Sequence, residues 1–286
     1  MFEPQVNGRL SAAFNYEAFL TSYNKTFSVL KADSVELKER AFGLRHQVFV
    51  EENGFADIVP HDEGLEYDRY DYRAVHYVLA HEESGADIGA VRVILPDDEH
   101  PEASFPMQAV CDHPMLQDAA RVSTLCQISR MCMAANFRKR DRDGALLPAY
   151  YEQEDRKGTV DGAMVYIRRR IPYAPLGLFR AAFETALRHR IMDCLMMIEP
   201  EQLPYLNRMG ISYSVLGPCL EEYRGMRPVV FNIKNVLDTM LIDNPQCWDV
   251  ISDMGRVHKM ANGLYLNDWQ DRMMDDLDLE DVLEDL

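Results

Sequence analysis

Three arginines and two aspartates stand where charge chemistry could occur inside a folded chain. Arg45 lies within the apolar stripe Leu37, Ala41, Leu44 and Val48. Arg92 falls in the apolar run Ile88–Leu95, and Arg130 closes Gln127-Ile128-Ser129-Arg130. Asp68 and Asp71 sit on an acidic segment over residues 51–73. A guanidinium within an apolar strand needs a partner or a ligand carboxylate, because an unpaired buried charge is costly. Arg45 is placed to reach Asp68 or Asp71 as a charge-assisted pair. By residue type alone, structural ion pairs explain these positions better than a reactive site does.

Other chemistries find less support. There is no Gly-x-Ser-x-Gly elbow, and no cysteine has a histidine partner in sequence, so a covalent acyl-enzyme is not expected. His61 with Asp62, Glu63 and Glu66 lacks the ligand spacing of known metal sites. His76 and His81, an odd number of residues apart, face opposite sides of one strand, and no metal is expected. The six cysteines form no CxxC pair and read as free thiols of a reducing compartment. The start Met1-Phe2-Glu3-Pro4 has no signal-peptide character, and no apolar run would span a bilayer. A cytoplasmic location is therefore expected.

The net charge of −17 disfavours nucleic acid as a partner. That charge is uneven. Residues 268–286 hold nine acidic side chains and one basic, whereas Met164–Met192 hold six arginines against Glu184. The simplest division is one domain over residues 1–267, with residues 141–172 as a long loop or insertion, followed by an acidic tail over 268–286.

The elements that would position these residues are legible in part. Residues 1–31 predict a helix and a short strand. A helix follows from about Asp33, with Asp33 and Glu36 spaced as a capping box. His76–His81 and Ile88–Leu95 predict a hairpin turning at Glu82–Asp87, and Gln127–Met133 a further strand. Pro175 opens a helix with the face Leu176, Phe179, Phe183, Leu187. Cys194–Ile198 reads as a strand, Glu199–Met209 as a helix stopped by Gly210, and Ile211–Leu216 and Pro228–Ile233 as strands.

Taken in order, Arg45-x-x-Val48-Phe49, Glu66-Tyr67-Asp68-Arg69-Tyr70-Asp71, Gly89-Ala90-Val91-Arg92 and Ser129-Arg130 resemble the homoserine-lactone autoinducer synthases. The later segment Met197-Ile198-Glu199-Pro200 through Gly210-Ile211 and Gly217-Pro218 resembles a neighbouring group more. That group comprises the N-acyl amino acid synthases and the acyltransferases associated with PEP-CTERM/exosortase systems. The resemblance spans roughly residues 26–235.

It implies a GNAT-like α/β fold (that of the acyl-CoA N-acyltransferases), with a central mixed sheet flanked by helices and splayed to hold an acyl thioester. It implies an N-acyltransferase that moves a fatty acyl group from an acyl carrier thioester to the amine of an amino acid or similar small acceptor. Catalytic positions carried over are Arg45, Asp68, Asp71, Arg92, Ser129 and Arg130. The donor carbonyl would be polarised by backbone N–H groups at a bulge of the fourth strand, near Met131–Met133. No permanently bound cofactor is implied, only acyl carrier protein or acyl-CoA as co-substrate.

Two departures stand out. The family glutamate of Glu-x-Ser-Arg is Gln127, which cannot serve as a general base. The glycine-rich phosphate loop is replaced by Arg138-Lys139-Arg140-Asp141-Arg142, whose side chains would have to carry the donor's phosphate and steer an acidic carrier. Met131 and Met133, with Met192, Met196 and Met197, suit an acyl tunnel, although an ordinary core explains most of them. Alternative readings are a homoserine-lactone synthase using S-adenosylmethionine, and a non-catalytic module that binds acyl groups or their carrier.

Overall fold

Tyr16–Thr26 form helix α1 and Phe27–Lys31 strand β1, as the aromatic-rich start predicts. The computed structural model describes residues 16–55, 58, 63–138, 153–160, 163–169 and 174–275. Helix α2 (Val35–His46) starts one residue later than the capping box required. Ser34 is its cap and accepts from the Leu37 N–H at 3.2 Å, while Asp33 pairs instead with Lys31. The helix passes into a π-helical turn over Gln47–Glu52, keeping Ala41, Leu44 and Val48 buried and Leu37 half-buried.

The hairpin is β2 (Ala74–His81) and β3 (Ala86–Ile94), with Gly85 in the left-handed region at its turn. A short helix α3 (Ala119–Val122), capped by Asp118, leads into β4 (Leu125–Met133), and α4 (Ala135–Arg138) follows it. The segment expected as a loop carries an antiparallel pair, β5 (Gln153–Val160) with β6 (Ala163–Arg169). Helix α5 (Leu176–Arg188) then buries the expected apolar face, and β7 (Asp193–Ile198) follows.

Helix α6 (Leu203–Met209) ends at Gly210 with φ of 84°. The strand expected over 211–216 shortens to β8 (Ser214–Val215). Strand β9 (Arg227–Asn232) ends one residue early because Asn232 caps a new helix. Three helices close the described chain: α7 (Ile233–Asp243), α8 (Pro245–Ser252) and α9 (Arg256–Asp275). The boundary expected between 267 and 268 falls inside α9.

Seven strands make one mixed sheet in the order β1-β2-β3-β4-β7-β9-β8, in which only β4 and β7 run parallel. Alternation along β2 assigns the faces. His76 meets the Phe42 ring of α2 at 5.3 Å, whereas Tyr77 bonds Thr185 of α5 at 2.7 Å. Helices α2 and α5 therefore cover opposite sides. The larger core lies on the α5 side, where Leu79, Ile88, Phe179, Phe183 and Phe231 are nearly solvent-free.

Two irregularities shape the centre of the sheet. Strand β4 pairs with β7 only from Leu125 opposite Asp193 to Ile128 opposite Met196, so the last five residues of β4 leave that partner. The β3–β4 register also jumps: Ala90 faces Cys132, but Arg92 faces Ser129. Val91 thus opposes both Arg130 and Met131, which is a β-bulge. It opens where β4 and β7 part, at the carboxyl ends of two parallel strands, where open α/β sheets hold their ligands.

Candidate functional site

Arg45 reaches the site from the last turn of α2 and is 1% exposed. Its Nη1 and Nη2 donate to the two oxygens of Asp71 at 2.8 and 3.1 Å, and its Nε donates to Glu66 at 2.5 Å. The expected partner Asp68 is taken elsewhere. Arg92, fully buried on β3, donates from Nη1 to Asp68 Oδ1 at 2.7 Å, lies 3.0 Å from Asp71, and donates from Nε to Ser129 Oγ at 2.9 Å. Arg130 donates to Glu66 at 3.0 Å and to Asp68 at 3.3 Å.

Three guanidinium groups and three carboxylates therefore close one network. Their charges balance, which is what allows so many ions to leave water together. The six residues expected to be catalytic all meet here, with Glu66 as a seventh member. The loop carrying the carboxylates is held by its own contacts: Asp71 accepts from the Asp68 N–H at 2.6 Å, and Asp68 from the Tyr70 N–H at 2.8 Å.

The electrostatics follow from this packing. Burial alone would raise the Asp71 pKa. The hydrogen bonds and charge of Arg45, with the charge of Arg92, outweigh it and hold the carboxyl well below the usual range. Burial likewise works against the Arg45 charge, but Asp71 and Glu66 more than restore it and its pKa is raised. Burial and the charges of Arg45 and Arg130 push Arg92 downward, although a guanidinium stays protonated. His76, behind Asp71 with Nε2 at 3.2 Å from its carbonyl oxygen, is pushed by burial to about 4 and stays neutral.

One donor is left over. Arg92 Nη2 is buried without a hydrogen-bond partner among the described residues. It is closed to solvent, so it is an unmet donor inside the packed network.

The bulge lies one residue earlier than expected, at Arg130–Met131 rather than Met131–Met133, because the extra residue falls opposite Val91. Met131 and Met133 are half-buried against the core. Gly89 faces Met133 across the ladder, and a Cβ there would stand 2.6 Å from its Sδ and 3.0 Å from the Cys132 carbonyl oxygen. The Arg138 side chain, and Lys139, Arg140 and Arg142 entirely, lie outside the described residues, as do His61 and Asp62. Gln127 points into structure: its Oε1 accepts from the Met107 N–H at 3.1 Å. Arg188, one of the six arginines of Met164–Met192, bonds Glu184 on the α5 side, across the sheet from the network.

Glu66 and Phe49 stand in the motifs and His76 in a strand, but sequence reasoning assigned none of them, nor Phe55, a part in the site. Phe49 lies under the Arg130 guanidinium at 5.9 Å and stacks on Phe55, which lies under Arg224 at 4.0 Å. A signal for Glu66 existed, since it shares one short acidic run with Asp68 and Asp71. Nothing local singles out His76 or Phe55.

Residues 44–147 match the family model described as an acetyltransferase (GNAT) domain, a stretch running from the end of α2 through the network, the bulge and α4. The mixed sheet and its flanking helices are the GNAT-like fold. Among solved structures the chain is similar to a CoA-dependent acyl-homoserine lactone synthase, BjaI, with SAM and isopentyl-CoA. The identity is 22%, over 81% of this chain and 89% of that one, with a TM-score of 0.47. It is also similar to the AHL synthase LasI at 17% identity, over 73% and 91% of the two chains, with a TM-score of 0.47. A third likeness is to FeeM, an N-acyl amino acid synthase from uncultured soil microbes, at 10% identity over 74% and 93%, with a TM-score of 0.47. No curated protein matches the sequence. No helix among the described residues is long and apolar enough to cross a membrane.

Proposed function

Taking the chain as an acyltransferase of the GNAT type, we propose that it moves a fatty acyl group from a carrier thioester to the amine of an amino acid or similar small acceptor. The observation that carries this reading is the placement of the β4 bulge. It opens where β4 leaves β7, and Arg130 at the bulge belongs to the arginine–carboxylate network.

The chemistry asks little of the protein beyond position and charge. Backbone N–H groups at the bulge, Arg130–Met131, would donate to the thioester oxygen as negative charge develops there. The amine nitrogen attacks the thioester carbon, the carbon–sulfur bond breaks, the thiol leaves and the amide forms. One partner for the acceptor is at hand. Asp68 suits the ammonium and its departing proton, being the most exposed carboxylate of the network, at 29% against 2% for Glu66 and 7% for Asp71.

On the donor side, Arg138, Lys139, Arg140 and Arg142 would attract the acidic surface or phosphate of an acyl carrier. Met131 and Met133 would border the acyl chain. Gln127 does not serve as base, since its oxygen already holds the Met107 N–H.

The test is to incubate the protein with acyl carrier and acyl-CoA thioesters and a pool of amino acids, with and without S-adenosylmethionine, and to read products by mass spectrometry. An N-acyl amino acid formed without S-adenosylmethionine is the expected result. A lactone formed only with it would replace the acceptor assignment. Binding of carrier with no product from any combination would overturn the enzymatic reading.

A further inference from the structure

Arg130 is strained. Its φ of 51° lies in the left-handed region, which an L side chain disfavours by roughly five- to thirtyfold per residue. Such a conformation persists only where the surroundings over-determine it. Here they do. The Arg130 Nε holds Glu66, which Arg45 of α2 also holds. Its Nη2 holds Asp68, which Arg92 of β3 also holds. The Phe49 ring lies against the same guanidinium. The strained residue coincides with the break in the β3–β4 register.

We propose that Arg130 is a positioning residue whose task is to hold the β4 bulge open. Its side chain is anchored at a distance, and its backbone is thereby kept in the conformation that releases the 130–131 N–H groups from the ladder. The network in this view is a clamp. Charge on α2, on the 66–71 loop and on β3 is converted into the direction of two backbone donors on β4. The kinetic consequences rest on the acyl transfer proposed above, whereas the backbone claim does not.

Glycine separates this role from direct contact with substrate, because it accepts a positive φ without any clamp. Two substitutions remove the same guanidinium, and they should diverge. Arg130→Ala is expected to lower kcat by about a hundredfold with little change in donor KM. Arg130→Gly loses the same side-chain contacts but is expected to retain at least about tenfold more kcat than Arg130→Ala. Hydrogen exchange of the 130–132 amides, read without substrate, should match the original in Arg130→Gly and differ in Arg130→Ala by at least about tenfold.

Equal losses of kcat in the two variants, with equal exchange, would overturn the proposal and leave Arg130 a contact residue. An inactive protein whose exchange still separates glycine from alanine would support the clamp while counting against acyl transfer. If neither variant folds, the unaltered chain decides. Three-bond couplings at Arg130 must report a positive φ in solution, and a negative value ends the proposal.

Discussion

Arg45 and Asp71 meet through two parallel hydrogen bonds, at 2.8 and 3.1 Å, with the arginine 1% and the aspartate 7% exposed. They come from different elements, and every other charge of the network touches one of them or a shared partner. The pair is the joint between α2 and the loop that enters β2.

Breaking that joint from one side leaves a buried charge unmatched. Asp71→Asn or Arg45→Ala should destabilise the fold by about 3–5 kcal/mol. Urea unfolding at neutral pH measures this, and a loss below about 1 kcal/mol in both variants would show that the pair is dispensable.

The buried His76 gives stability a pH dependence of definite sign. Its pKa is about 4 in the folded chain against an ordinary 6.5, so between those values only the unfolded chain takes the proton. Stability is then complete above pH 6.5 and falls as the pH drops towards 4, by about 3 kcal/mol. Asp71, depressed below its ordinary 3.8, adds a further loss at lower pH. His76→Gln should flatten the upper part of the decline while leaving the lower part. An identical profile for that variant, followed by denaturation midpoints from pH 4 to 8, would assign the decline to other groups.

Gln127 ties β4 to the loop at Met107, and its removal strands a buried N–H. Gln127→Ala should cost about 1–3 kcal/mol in stability. Its pH–rate profile should keep the original shape. A stable variant with a hundredfold lower kcat would give Gln127 a catalytic part that its geometry does not suggest.

Gly89 sits where no side chain fits. Gly89→Ala places a methyl against Met133 Sδ and the Cys132 carbonyl, beside the bulge. The cost should be about 1–3 kcal/mol, the usual penalty of overpacking, together with lower kcat. Restored stability on adding Met133→Ala would trace the clash to the sulfur. An unperturbed single variant would refute the close packing of β3 on β4.

Much of the frame was readable before any coordinates, and the reason is local. Helix α5 carries a period of 3.6, and β2, β3, β4 and β7 are short β-rich apolar runs, so each can be recognised without reference to any other element. The stop at Gly210 and the start at Pro175 were equally local signals. Helices α7, α8 and α9, which were not expected, had local signals too, in the caps Asn232 and Asn244-Pro245 and in Gly255 directly before Arg256.

The sequence by itself also determined that Arg45, Asp68, Asp71, Arg92 and Arg130 belong to charge chemistry. A guanidinium within an apolar strand must be answered by something, and the acidic run with Asp68 and Asp71 supplies carboxylates to answer it. Which partner answers is a different matter. Arg45 takes Asp71 and Glu66 instead of Asp68, and Arg130 reaches back 64 residues to Glu66, because α2, the loop and two strands meet at one point only in the folded sheet. The bulge is more distant still from sequence. It is a mismatch between two registers, and neither β3 nor β4 contains it alone. Local pattern therefore decided which residues are buried and charged, and tertiary structure decided which of them meet and where the backbone opens between them.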